Sequence, residues 1–161
     1  MTNAPTTTSA ARPADSFRVA LTGDFFDAAG QLRYRDIGLD LLAEQPQISW
    51  DRFAVHHPEI APAQLANCHG AIVLSSKVTR RSLEQAEDLL AIGRFGVGFD
   101  SVDVAACTER YVALFITTGA VDWSVAEATV GWMLALTHHV RVKDRLVRDS
   151  SNPRVSARRF R

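Results

Sequence analysis

The chain has 161 residues, of which 47% are hydrophobic and 22% charged, enough for one ordinary soluble domain with its own core. Eighteen basic residues balance eighteen acidic ones, so no global field draws the chain to nucleic acid or an anionic membrane. Cys68 and Cys107 are too few for a disulfide framework and lack metal spacing, which points to reduced, partly buried thiols in the cytoplasm. The longest apolar stretches are broken by charges or histidines, so no transmembrane span is expected.

Residues 1–15 are rich in Thr, Ser, Ala and Pro and lack the apolar middle of a secretory signal. A disordered tail is expected there, with an organelle transit peptide as the alternative. Phe17 to Thr22 alternates apolar and polar residues and stops at Gly23-Asp24, the pattern of a first strand. Ile37, Leu39, Leu41 and Leu42 suggest a helix to about Glu44, ended before Pro46. Trp50 to Val55 reads as a second strand, followed by a short helix from about Ala63 to Asn67. Ala71-Ile72-Val73-Leu74 is a compact apolar run of the kind buried on both faces of a sheet. Ser75 to Thr79 forms the next loop, and Thr79 or Ser82 can cap a helix reaching about Glu87.

Leu90 to Phe95 is a fourth strand that runs into Gly96-Val97-Gly98-Phe99-Asp100-Ser101-Val102-Asp103. Two glycines around one residue permit close backbone approach, and Asp100, Ser101 or Asp103 can cap the following helix, Val102 to about Arg110. That helix should turn Val102, Ala105 and Ala106 inward. Val112 to Ile116 is a fifth strand. Alternation of strand and helix with short connections predicts a doubly wound parallel α/β sheet, with ligands at the carboxyl ends of the strands. The loops at Asp24, Ser75, Gly96 and Thr117 to Asp122 should then share one edge.

Ser124-Val125-Ala126-Glu127 has the form of a capping box, and a helical pattern continues to about Arg148. The first half of that helix is apolar around most of its circumference, so it needs cover from a partner subunit or another domain. Residues 149–161 have no apolar period and are expected to be an unstructured basic tail. The predicted organisation is therefore a tail at 1–15, an α/β domain at 16–122, a crossing helix at 123–148 and a tail at 149–161.

The glycine loop has three readings. A dinucleotide fingerprint needs G-x-G-x-x-G, but Ser101 stands in the third glycine position, and the acidic residue about twenty positions on falls at Asp122, in a loop. A turn with no ligand is the second reading. The third is a small anion, such as a carboxylate, held by backbone N–H groups at the loop and helix N-terminus. The histidine pairs His56-His57 and His138-His139 lack the i, i+4 spacing of a helical metal pair, so no metal site is expected. A receiver-type signalling domain shares the topology, but Leu74-Ser75 and Thr117-Thr118 occupy two of its required sites.

Residues Val78-Thr79, Ser82-Leu83, Ile92 to Asp103 and Ala105 to Thr108, followed by Ser124-Val125-Ala126-Glu127 and Leu134-Ala135-Leu136, resemble the N-terminal part of the D-isomer-specific 2-hydroxyacid dehydrogenases. The family resemblance spans about Phe17 to Arg148. It implies a flavodoxin-like substrate-binding domain in which the backbone at Val97 and Gly98, after Gly96, holds the substrate carboxylate while the loop at Ser75 flanks it. Leu74-Ser75 departs from the Arg-Ser pattern of phosphoglycerate dehydrogenases, which argues against a phosphorylated substrate. The resemblance also implies an NAD or NADP cofactor in full-length members and a homodimer through the helix from Ser124. The family's cofactor fingerprint and its catalytic Arg, Glu and His are absent from these 161 residues, so a truncated form, inactive by itself, is the expectation. A non-catalytic protein-binding module of the related corepressor type is the alternative.

Overall fold

The computed structural model describes residues 16–148. Within them the chain divides into two units, one ending at Thr118 and the other beginning at Gly119. The predicted tails at 1–15 and 149–161 lie outside the described residues.

The first unit is built on five parallel strands: β1 (Phe17–Leu21), β2 (Ile48–Arg52), β3 (Gly70–Val73), β4 (Ala91–Arg94) and β5 (Ala113–Ile116). Their spatial order is β2-β1-β3-β4-β5, the flavodoxin-like order. The helices are α1 (Leu39–Ala43), α2 (Pro62–Leu65) and α3 (Val104–Glu109), with 3-10 turns at Gly23–Phe25 and Arg81–Leu83.

Period-two alternation divides the strand residues between two cores. Ala20, Ala71, Val73 and Ile92 face one side with Ile60, Leu65, Leu83, Val102, Ala106, Cys107 and Val112. Val19, Leu21 and Phe25 face the other, with Trp50, Ile72, Leu74 and Phe95 packed against them. A parallel sheet needs both faces covered, and the near-continuous apolar runs of β1, β3 and β4 reflect that. The doubly wound parallel sheet expected from the sequence is the fold of this unit.

Several boundaries differ from expectation for local reasons. β2 begins at Ile48, because its register pairs Ile48 with Phe17 and the Phe17 N–H donates to the Gln47 carbonyl at 2.7 Å. The helix expected after Thr79 is only the 3-10 turn. Thr79 N–H donates to Ser82 Oγ at 3.1 Å and Ser82 N–H to Thr79 Oγ1 at 3.3 Å, a reciprocal clasp that closes a tight turn. In α3, Ala106 and Cys107 are buried while Ala105 is exposed, so Cys107 fills the inward place expected of Ala105.

The second unit contains α4 (Asp122–Thr137) and α5 (Val140–Arg148). The single helix expected from Ser124 is thus two. Thr137 Oγ1 donates back to the Met133 carbonyl at 2.9 Å, and His139 takes the left-handed conformation, φ 51°, which ends α4. The helix also starts earlier, at Asp122, after Gly119 turns the chain at φ 83°. Ser124 therefore lies inside the first turn and is not its cap, while Asp122 places a carboxylate at the positive end of the helix.

Ile92, on β4 between β3 and β5, is wholly buried. Replacing it with alanine should cost about 2–5 kcal/mol in urea unfolding, through lost burial and the cavity left behind; a loss below about 1 kcal/mol would contradict this packing.

Candidate functional site

In a sheet of this order, β1 and β3 are adjacent strands whose connections leave in opposite directions, and a crevice opens beyond their carboxyl ends. The residues that follow β1 there are Thr22-Gly23-Asp24, and those that follow β3 are Leu74-Ser75-Ser76. The glycine loop follows β4 on the same edge. Thr22 N–H donates to the Ile72 carbonyl at 3.0 Å, Leu74 N–H to Thr22 Oγ1 at 3.1 Å and Phe95 N–H to the Val73 carbonyl at 2.8 Å. Thr117 N–H donates to the Gly96 carbonyl at 3.1 Å. Three loops and the end of β5 are thereby laced together, as the topology requires. A T-shaped contact of Phe25 on Phe95, 5.2 Å between centroids, and Tyr34 at 5.9 Å from Phe95 wall the same edge.

The loop turns at Gly96, where φ is 154° and the Arg94 guanidinium occupies the space a Cβ would take. Arg94 Nη1 donates to the Phe95 carbonyl, and its buried Nε has no hydrogen-bond partner among the described residues. After the turn, the N–H groups of Val97, Gly98, Phe99, Asp100 and Ser101 meet no acceptor among the described residues. The α3 N-terminus is already capped: Asp103 Oδ1 accepts from Ala106 N–H at 2.9 Å. That cap engages one N–H; those of Val104 and Ala105 at the same helix end meet no acceptor among the described residues. Asp100 brings a second carboxylate to the loop, with Oδ2 3.8 Å from where a Cβ on Gly98 would lie. Arg94 opposes it. The arrangement suits a small anion that docks on backbone N–H groups beside one guanidinium.

Asp24 is the ionisable group the sequence placed at this edge without a task. Its Oδ2 accepts both the Ser75 N–H, at 2.9 Å, and the Ser75 hydroxyl. Burial pushes the carboxyl up, but the hydrogen bonds from Ser75, with help from the Thr22 hydroxyl, outweigh it and hold the group below its ordinary value of 3.8. Oδ1 is buried and has no hydrogen-bond partner among the described residues. His69 Nδ1 accepts from Arg18 N–H at 2.9 Å, and burial pushes the Cys68 and Cys107 thiols up, away from nucleophilic thiolate.

Of the four residues expected to contact substrate, Gly96, Val97 and Gly98 form the turn and its first free amides, and Ser75 lies on the neighbouring loop tied to Asp24. Sequence reasoning missed Arg94 and the Asp24–Ser75 pair. Arg94 stood in plain view between Gly93 and Phe95, a cation at the end of an otherwise apolar strand. β5 ends at Ile116 and is followed by Thr117-Thr118, which carry no carboxylate.

An α/β domain of flavodoxin-like order with an amide-lined turn at its strand ends is the class these features define. A sequence profile for the catalytic domain of D-isomer specific 2-hydroxyacid dehydrogenases matches residues 33–152, and the chain belongs to that family. It is 46% identical over 65 residues to a D-3-phosphoglycerate dehydrogenase of Methanocaldococcus jannaschii, a match covering 40% of this chain and 12% of that protein. It is 30% identical over 126 residues to human D-3-phosphoglycerate dehydrogenase, covering 78% of this chain and 22% of the relative. Among solved structures, the NAD-dependent formate dehydrogenase of Staphylococcus aureus, in complex with NAD, superposes with a TM-score of 0.66 at 26% identity, over 82% of this chain and 41% of that one. These curated relatives are much longer proteins, of which the chain spans about a fifth or less.

Because the folded Asp24 carboxyl titrates below 3.8, its contribution to stability is complete above that value and is lost as pH falls through the lower folded value. Thermal melts of the wild type and Asp24→Asn should therefore differ by a constant amount from pH 7 to about pH 5 and converge as the pH falls through the folded value, below 3.8. A gap that widens on acidification would contradict the assignment.

Proposed function

We propose that this chain provides the substrate side of a D-2-hydroxyacid dehydrogenase: it binds a small 2-hydroxy or 2-oxo acid by the carboxylate, through the backbone N–H groups of Val97 and Gly98. The observation that carries the reading is the run of amides after Gly96 without protein acceptors, beside the half-buried Arg94. A carboxylate supplies the acceptors those groups lack, and hydrogen bonds to an ionised group are the strong ones. Ser75, on the loop after β3, flanks the ligand. Leu74 ahead of it contributes no charge and packs into the core with Phe95, so the part of the substrate next to it carries no phosphate.

The hydride chemistry of such a reaction belongs to a nicotinamide cofactor, NAD or NADP, for which these residues offer no fingerprint. Binding and orientation of the acid are what this chain contributes, and by itself it does not oxidise NADH. The free, buried Cys68 and Cys107 suit the reducing cytoplasm. No helix among the described residues is long and apolar enough to cross a membrane.

A second copy of the chain is the partner we infer for α4. No residue of that helix is buried, yet Trp132 and Leu136 are about three-quarters exposed, at 76% and 75%. Surface of that composition is stable when a like surface covers it.

Titrating the labelled chain with pyruvate should shift the amide resonances of Val97 and Gly98 saturably. Gly98→Pro, which removes one donor, should weaken binding about tenfold or more. Unshifted loop amides at saturating ligand would refute the reading. Sedimentation equilibrium should give a dimer that Trp132→Lys converts to monomer; a wild-type monomer at all concentrations would remove the proposed partner.

A further inference from the structure

Ser75 carries the hydroxyl that flanks the proposed ligand, and its proton is already engaged. The hydroxyl donates to Asp24 Oδ2, the same oxygen that accepts the Ser75 N–H at 2.9 Å. A serine hydroxyl has one proton and two acceptor lone pairs. With the proton held by a carboxylate, Oγ offers the cleft lone pairs only. The carboxylate is not free to turn away, since Asp24 lies between Thr22, fixed by Leu74 N–H, and Phe25, buried against Phe95. Ser75 itself is exposed at the rim, where a ligand can reach it.

The oxidised and reduced members of a 2-hydroxy/2-oxo acid couple have the same carboxylate and nearly the same size. The backbone amides after Gly96 therefore bind both alike. They differ at C2, where the hydroxy acid has an O–H donor and the oxo acid has only a carbonyl acceptor. We propose that the Asp24–Ser75 pair selects between them: Ser75 Oγ accepts the C2 hydroxyl of the 2-hydroxy acid and faces the C2 carbonyl of the 2-oxo acid with lone pairs alone. Asp24 is a positioning residue in this scheme, because it acts on the ligand through Ser75. The inference rests on the reading that the acid binds by its carboxylate at Val97 and Gly98. It adds which form of the acid the site prefers, and why.

Asp24→Ala removes the oxygen that accepts both the Ser75 N–H and its hydroxyl. The serine proton is then free to turn outward and meet a carbonyl. One hydrogen bond gained or lost is worth about fivefold in affinity. Amide-resonance titrations of the full chain with D-lactate and with pyruvate read the ratio directly. In the wild type D-lactate should bind about fivefold more tightly. Asp24→Ala should reduce the ratio to one or invert it, and Ser75→Ala should abolish it while both ligands still bind through the loop amides. Ser75→Ala alters an exposed hydroxyl and keeps the test open if Asp24→Ala disturbs folding. Equal wild-type affinities, or a ratio unchanged by Ser75→Ala, would overturn the discrimination and leave carboxylate binding intact. Loop amides unmoved by either acid would overturn the carboxylate reading, and this inference with it.

Discussion

The turn at Gly96 is the constraint on which the site depends. At φ 154° the backbone adopts a conformation that favours glycine, and the side where a Cβ would stand is filled by the Arg94 guanidinium. That turn takes the chain out of β4, away from the ladder in which Phe95 N–H still donates to Val73, and releases the next amides from internal pairing. It also brings the Gly96 carbonyl to Thr117, so the end of β5 is fixed by the same residue. A side chain at position 96 would displace the guanidinium and strain the backbone together.

Around that turn, the parallel sheet does the rest of the positioning. Because every strand points the same way, the residues after β1, β3 and β4 arrive at one edge whatever their separation in sequence. Asp24 and Ser75 are 51 positions apart and share two hydrogen bonds for that reason. The electrostatics of the edge are mixed. Arg94 favours an anion, Asp24 and Asp100 oppose one, and Asp103 uses its charge on its own helix. A site of that balance suits one carboxylate better than a ligand with several negative charges, in agreement with the apolar Leu74 ahead of Ser75.

Much of this fold was legible in the sequence because the signals were redundant. Apolar runs at Ala71 to Leu74 and Leu90 to Phe95, each followed by turn residues, specify buried strands by composition and by spacing together. Single-residue capping signals were weaker guides. Thr79 and Ser82 are both candidate helix caps by residue type, but their hydroxyls accept each other's N–H and close a turn instead, and Ser124 falls inside a helix that starts earlier, at Asp122. The glycine loop was legible as a turn that frees its amides, whereas nothing in the sequence says whether Asp103 caps its own helix or leaves the cap to Asp100 or Ser101. The alternation of strand and helix puts the Asp24 and Ser75 loops on one edge, but their direct pairing needs β1 and β3 as neighbours, which the sequence does not specify. Arg94 was within reach as a lone cation closing an apolar strand.

The central claim is that the amides after Gly96 hold the carboxylate of a 2-hydroxy or 2-oxo acid. A crystal structure of the chain grown with D-lactate tests it most directly. The account predicts carboxylate oxygens within about 3 Å of the Val97 and Gly98 nitrogens, at ordinary hydrogen-bond distance. Lactate bound elsewhere on the domain, with those two amides facing only water, would contradict it.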